Sequence, residues 1–174
     1  SNAKTVNFGI IYGVSAFGLS QQTSLNRAES KELIDAYYAT YPKLREYINT
    51  QIEFAREYGY VQTVSGRRRY LKDINSQNAV VRGGAERNAV NAPIQGSAAD
   101  IIKIAMINIH NRLIKENLET KMLLQVHDEL VFDVPKTELE KVKPIIKQEM
   151  ESAFKLAVPL EVEIGEGSNW LDAH

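Results

Sequence analysis

A cation and two aromatic rings recur at steps of four near the start of the chain, as Lys4, Phe8 and Tyr12 in the segment KTVNFGIIYG. In a helix that turns about 100° per residue, this spacing puts them on one stripe. Aromatic stripes at helical spacing are most often core, but a core would not require Lys4, Gly9 and Gly13. The segment therefore predicts a helix on which a cation and two ring faces look outward side by side.

Two adjacent carboxylates, Asp128 and Glu129, interrupt the apolar segment LLQVHDELVFDV. A single continuous strand would bury Asp128 among hydrophobic side chains at high cost, so we expect a hairpin with a tight turn at His127 and Asp128. Adjacent carboxylates repel unless a cation lies near them, and oxygen ligands of this kind suit magnesium. The alternative is an ordinary solvated turn.

Arg87, Asn91 and Gln95 fall at steps of four in the segment RNAVNAPIQGSAAD. Arginine, asparagine and glutamine are donors that read the acceptors of a nucleic-acid groove, whereas a solvated face would more usually carry Glu and Lys. We expect Pro93 to interrupt the regular helix in this segment.

Three consecutive arginines, Arg67 to Arg69, follow a predicted hairpin bend at Ser65 and Gly66 in the segment YVQTVSGRRRYL. In a strand, Arg67 and Arg69 point to one side and Arg68 to the other. One side could then hold phosphates while the other pairs with an acid.

Composition places the 174 residues among ordinary globular proteins, with 44% hydrophobic and 25% charged residues and a net charge of −1. No apolar run has the length of a membrane span, and no secretion signal is recognisable. The absence of cysteine excludes a disulfide scaffold and Cys-ligated metal sites. Residues 1–3 resemble a tag-cleavage remnant and are excluded from the predicted fold.

Helices are expected to dominate the first part of the chain. After the opening helix, further helices are predicted over 30–41 and 42–58, because Pro42 suits a first helical turn and Gly59 a C-cap. A long amphipathic helix is expected from about Ser97; its predicted buried stripe comprises Ala98, Ile101, Ile102, Ala105 and Ile109.

The C-terminal part mixes helix and strand. Thr137 and Glu140 form a predicted capping box for a helix that contains Pro144. The alternation in PLEVEIG predicts a half-exposed strand with Leu160, Val162 and Ile164 inward. The sum is an α+β fold, with helices first and then a small antiparallel sheet carrying helices on one face.

The order of these motifs resembles DNA polymerase family A, the bacterial DNA polymerase I family. The resemblance runs from Lys4 to the end and is carried by KTVNFGIIYG, SGRRRYL, RNAVNAPIQGSAAD, QVHDEL and NWLDAH. It implies the C-terminal part of a right-hand polymerase. Residues 4–94 would then form part of the fingers subdomain and residues 95–174 the C-terminal part of the palm.

The resemblance also implies a role for each residue of the first helix. Lys4 would hold the phosphates of an incoming deoxynucleoside triphosphate and thereby act in catalysis. Phe8 would pack against its sugar, Tyr12 would lie by the insertion site, and Gly13 would leave room for the template base.

Primer-template DNA is the second implied partner. Arg87, Asn91, Gln95 and His127 would contact it, and the three arginines of SGRRRYL are our further candidates for its phosphates. Asp128 would be one of two magnesium-binding aspartates, with Glu129 as a supporting carboxylate.

The implied reaction is template-directed addition of deoxynucleotides to a primer 3′ hydroxyl, in DNA replication or repair in the bacterial cytoplasm. The family's other catalytic aspartate belongs to a motif upstream of the first helix and is not in this chain. We therefore expect half of a two-metal site, no activity from this chain alone, and self-association. The alternatives are a single-subunit RNA polymerase fragment and a non-catalytic DNA-binding module.

Overall fold

The structure, a computed structural model, describes residues 2–173, with Asn2 described in its backbone only. Seven helices and four strands are found in this part of the chain, and the strands form two separate two-stranded antiparallel sheets. In chain order the elements are α1 (Asn2–Ile11), α2 (Ala16–Gln22), α3 (Arg27–Thr40), α4 (Pro42–Tyr58), β1 (Tyr60–Gln62), β2 (Arg68–Tyr70), α5 (Ala79–Lys115), β3 (Lys121–Val126), β4 (Glu129–Asp133), α6 (Leu139–Glu151) and α7 (Trp170–Ala173). The predicted α+β class is confirmed. None of the described helices is long and apolar enough to cross a membrane.

The chain divides into two compact units, one up to Ser97 and one from Ala98 onward. The boundary falls inside the residue range of α5. The assignment of residues 4–94 to fingers and 95–174 to palm stays a prediction.

Local signals account for the helix ends of the first unit. The side chain of Asn26 accepts from two backbone N–H groups of α3, and Glu29 completes a capping box, so α3 begins earlier than the predicted residue 30. Helix α4 begins at Pro42 and ends at Tyr58, and Gly59, with a φ of 76°, is its C-cap, as predicted.

Small side chains form the core of the first unit, which joins α4, the β1–β2 hairpin and α5. Its buried members are Ala55, Val61, Leu71, Ile74, Ala85, Ala89 and Ala92. Because four of the seven are alanines, the helix backbones can approach closely and hold the hairpin against α5.

The predicted break at Pro93 is wrong, since α5 continues through this residue. Two contacts hold the chain around Pro93. The hydroxyl of Ser97 donates to the carbonyl of Pro93, and the N–H of Val64 donates to the Ser97 oxygen at 2.9 Å. Tertiary packing of α5 therefore overrides the local helix-breaking preference of proline.

The core of the second unit joins the C-terminal half of α5 to α6 and the β3–β4 hairpin. Its buried members are Ile109, Leu113, Val142 and Ile146. The predicted stripe on α5 is correct for Ile102, Ala105 and Ile109, which are buried. It is wrong for Ala98, which is exposed, and Ile101 is only half-buried.

Two predicted features of the C-terminal part are wrong. Helix α6 has no side-chain cap of the predicted Thr137 kind, because Glu138 is its N-cap and uses its carboxylate elsewhere. That carboxylate accepts from the N–H groups of Glu119 and Thr120 at 2.9 and 3.0 Å. The predicted strand over residues 160–164 is irregular, because these residues pair with none of the four described strands.

Candidate nucleotide and nucleic-acid interfaces

The α1 stripe has the geometry that its spacing predicts. The Nζ atom of Lys4 lies 5.8 Å from the centroid of the Phe8 ring, and the rings of Phe8 and Tyr12 stack with centroids 6.2 Å apart and planes 21° apart. Phe8 is 49% exposed. The stripe is thus an outward-facing row of a cation and two flat rings, suited to an anion attached to a ring system.

The opposite face of α1 fixes the stripe in place. Ile10 and, from α2, Leu19 are fully buried. The hydroxyl of Tyr38 on α3 donates to the carbonyl of Ile10 at 3.3 Å. Burial raises the pKa of Tyr38, so its hydroxyl keeps the proton that it donates.

Gly9 and Gly13, which follow Phe8 and Tyr12 in the sequence, are required for different physical reasons. A Cβ atom on Gly9 would lie 3.1 Å from Cγ1 of Val14, so Gly9 admits a neighbour from this same chain rather than a ligand. Gly13 has a φ of 74° and open space where a side chain would stand. Its left-handed backbone, which favours glycine, turns the chain after α1.

The β1–β2 hairpin carries the three arginines in the predicted alternation. Arg67 donates to the carbonyl of Gly96 at 3.1 Å, and Arg69 donates to the Asn88 side chain at 3.4 Å. Arg68 points to the other side, with its guanidinium 4.5 Å from the centroid of the Tyr60 ring. Within residues 2–173, no carboxylate lies within ion-pairing distance of Arg68 or Arg69.

Arg87, Asn91 and Gln95 keep their helical spacing because α5 is continuous. Arg87 and Gln95 are exposed, and the Arg87 guanidinium lies near Gly83. The Oδ1 atom of Asn91 is buried without a hydrogen-bond partner in the described part of the chain. An unpaired buried acceptor is costly, so this oxygen is a position where an ordered water would be expected to donate.

The β3–β4 hairpin turns at His127 and Asp128, as predicted. Val126 pairs with Glu129 across the turn, and the turn residues His127 and Asp128 are exposed. His127 has a φ of 54°, a left-handed conformation that costs a non-glycine residue about 1 kcal/mol. Gln125 holds the turn by donating to the carbonyl of His127 at 2.7 Å.

The role of Gln125 in positioning this turn is not predictable from its place in the sequence. Its only signal was a polar side chain inside an apolar run, LLQV. The hydrogen bond to its neighbour two residues along, which gives Gln125 its role, depends on the folded turn.

Carboxylates at the turn fit only part of a metal site. Asp128 is an exposed oxygen donor with Glu129 beside it, which suits a hard divalent cation. Among the residues that the structure describes, however, no group of three or more His, Asp or Glu side chains could hold a metal ion. The described residues thus offer a ligand to a metal but not a complete donor set.

Comparisons with known proteins agree with the motif pattern. The profile of DNA polymerase family A matches residues 1–172. The chain is 51% identical to DNA polymerase I of Caldicellulosiruptor bescii and 52% identical to that of Streptococcus pneumoniae serotype 4, over 172 residues in each case. These alignments cover 99% of this chain and 20% of each relative, so the chain spans about a fifth of their length.

A solved structure is similar over the same extent. It is the POL domain of Pol1 from M. smegmatis in complex with DNA primer-template and dNTP, with a TM-score of 0.96 and 44% identity. The match covers 99% of this chain and 30% of that chain. Since the family profile spans nearly every residue, the chain belongs to DNA polymerase family A.

Proposed function

We propose that this chain is part of a DNA-directed DNA polymerase that adds deoxynucleotides to a primer 3′ end in DNA replication or repair in the bacterial cytoplasm. The observation that carries the proposal is the outward row of Lys4, Phe8 and Tyr12 on α1 of a family A chain. The relatives are named DNA polymerase I, and the similar solved structure contains primer-template DNA and a dNTP.

In the proposed site, the α1 stripe binds the incoming nucleotide. Lys4 contributes the charge for the triphosphate, and the adjacent Phe8 ring packs on the deoxyribose. Tyr12 extends the flat surface toward the template base. The open space at Gly13 leaves the base free of a side chain.

Primer-template DNA is the second proposed ligand of these surfaces. Arg87 and Gln95 project from α5 as exposed donors, and Asn91 lies between them on the same face of the helix. Exposed His127 adds a contact at the β3–β4 turn. The arginines of the β1–β2 hairpin supply positive charge for the phosphates.

Asp128 would hold Mg²⁺ with Glu129 in support, as one part of the proposed metal site in the complete enzyme. Bound there, Mg²⁺ would stabilise the charge on the transferring phosphate. Two metal ions need more oxygen ligands than these two side chains provide. The 174-residue chain alone is therefore expected to bind DNA weakly, in a salt-sensitive manner, and to extend no primer at any magnesium concentration.

The test is primer extension by the complete polymerase carrying Asp128→Ala, with Asp133→Ala as the matched control. Asp133 is an exposed aspartate at the far end of β4. We expect Asp128→Ala to abolish extension and leave primer binding largely intact, while Asp133→Ala behaves as wild type. Extension retained by Asp128→Ala would refute the proposed role.

The 174-residue chain is assayed beside the complete enzyme. If this chain gave a template-dependent product that was lost in Asp128→Ala, the expectation that it carries only half of a two-metal site would be refuted. A non-catalytic DNA-binding role would be favoured if the complete protein bound duplex DNA without needing magnesium and without responding to a matched nucleotide.

A further inference from the structure

An aromatic row lies on the outer face of the β1–β2 hairpin and the adjoining end of α4. The ring centroids of Phe54 and Tyr58 are 4.6 Å apart, those of Tyr58 and Tyr60 are 6.3 Å apart, and those of Tyr60 and Tyr70 are 5.7 Å apart. The four rings form one continuous cluster. We call it, together with Arg68, the hairpin platform.

The strand register places the platform on one face of the hairpin. Tyr60 pairs with Tyr70 and Gln62 pairs with Arg68, so these four side chains share the outer face. The pair between them, Val61 and Arg69, lies on the other face, where Val61 is 1% exposed in the core. The outer face thus presents two rings, a guanidinium and an amide together.

Structural stabilisation explains only part of this arrangement. An isolated two-stranded hairpin is marginal in water, and a cross-strand tyrosine pair would stabilise it. That account does not require Tyr70 to be 66% exposed or Tyr58 to be 52% exposed. It also does not explain why Arg68 stands over the Tyr60 ring without an ion-pair partner among residues 2–173.

Charge on the platform is distributed unevenly. Arg68 provides the positive charge of the outer face, because Arg67 and Arg69 point to the other side, and Lys72 is exposed beyond the buried Leu71. Of the nearby acidic residues, Glu57 interacts through its carboxylate with Tyr58 at the opposite end of the row, and Asp73 is exposed next to Lys72. An anion would therefore bind at the Arg68 end of the platform, and the aromatic rings extend from there toward Tyr58.

We propose that the hairpin platform is a binding site for single-stranded DNA, in which a base stacks on the exposed ring of Tyr70 and a phosphate pairs with Arg68. Exposed aromatic faces combined with a positive groove are the arrangement that binds unpaired nucleic acid without sequence preference. Duplex DNA is a poorer occupant, because its bases are already stacked on one another. The proposal rests on the proposed function for its choice of DNA as the nucleic acid.

The test uses the purified 174-residue chain and the fluorescence anisotropy of a labelled oligothymidylate, with a blunt duplex of the same length for comparison. Tyr70→Leu keeps an apolar side chain and removes the ring, so it should weaken binding of the single strand about tenfold. Tyr70→Phe keeps the ring and should bind as wild type. Neither change should alter binding of the duplex.

Arg68→Gln tests the phosphate contact. It should weaken binding of the single strand and lower the slope of log K against log salt by about 0.7. Arg45→Gln is the matched control, because Arg45 also lies over a tyrosine ring, that of Tyr38, at 5.6 Å. The control should leave the affinity for the single strand unchanged.

If Tyr70→Leu and Arg68→Gln bound oligothymidylate with wild-type affinity, the proposal that the hairpin platform binds single-stranded DNA would be refuted. Equal losses for the single strand and the blunt duplex in Tyr70→Leu would also overturn it, since they would show that the ring is not specific for unpaired bases. Circular dichroism of each variant checks that the chain remains folded. The proposed polymerase function is judged separately, by primer extension in the complete enzyme, so either idea can fail without the other.

Discussion

A methyl group added at Gly96 tests how the β1–β2 hairpin docks on α5. A Cβ atom at this position would lie 2.6 Å from Cγ2 of Thr63, about 1 Å closer than ordinary carbon contacts. Thr63 cannot move away easily, because its hydroxyl interacts with Ser65 at 2.9 Å and accepts from the N–H of Arg67 at 3.2 Å. Its branched side chain is also stiff at χ1.

Two opposing effects decide how much Gly96→Ala changes the free energy of unfolding. Replacing glycine by alanine inside a helix stabilises by about 1 kcal/mol, whereas overpacking costs about 1–3 kcal/mol. Gly96→Ala should therefore lower the free energy of unfolding by about 1 kcal/mol. Gly83→Ala is the matched control on the same helix, because its nearest contact would be Arg87 at 3.8 Å, and it should stabilise by about 1 kcal/mol.

Urea unfolding of the purified chain, followed by circular dichroism, measures both variants. Thr63→Ser removes the clashing methyl group and keeps the hydroxyl. The double variant Gly96→Ala with Thr63→Ser should recover most of the loss relative to Thr63→Ser alone. The reasoning would be refuted if Gly96→Ala stabilised the chain as much as Gly83→Ala does.

Three further predictions concern the site, the surface and pH. A dideoxynucleotide lacks the 3′ OH and the hydrogen bond that this group makes, and Phe8 has no hydroxyl to replace that bond. Phe8→Tyr in the complete enzyme should therefore raise dideoxynucleotide incorporation, measured by competition in primer extension. The exposed leucines of β3 should drive self-association of the chain, and Leu123→Lys should reduce the mass measured by light scattering. The pKa of Glu138 is lowered by hydrogen bonds from the N–H of Glu119 and from the hydroxyl and N–H of Thr120. The charged Glu138 carboxylate therefore stabilises the fold above its ordinary pKa of 4.5. This stabilisation is lost as the pH falls through the lowered pKa. Glu138→Gln should therefore lower the urea midpoint at neutral pH and converge with wild type in acid.

Each of these predictions has an outcome that contradicts it. An unchanged dideoxynucleotide ratio in Phe8→Tyr would argue against the sugar contact. A monodisperse wild-type monomer at high concentration, with no binding of a hydrophobic dye, would argue against self-association. A wild-type urea midpoint for Glu138→Gln at neutral pH would show that the bonds to Glu119 and Thr120 contribute nothing net.

Local chemistry was sufficient to predict several parts of the structure. Proline at a first turn and glycine at a C-cap predicted the bounds of α4, because both act through their own backbone geometry. The polar pair inside an apolar run predicted the turn at His127 and Asp128, since burying a carboxylate is costly. The motif order predicted membership of DNA polymerase family A.

Other features depended on contacts between residues far apart in the chain. Pro93 remains helical because Ser97, Val64 and the alanine core support α5, which no local signal reveals. Residues 160–164 alternate like a strand but remain irregular, because they pair with none of the four described strands, and alternation alone does not supply a pairing partner. The sequence alone thus determined features that arise from a residue's own backbone or from burial cost, and only the tertiary structure decided those that depend on a distant partner.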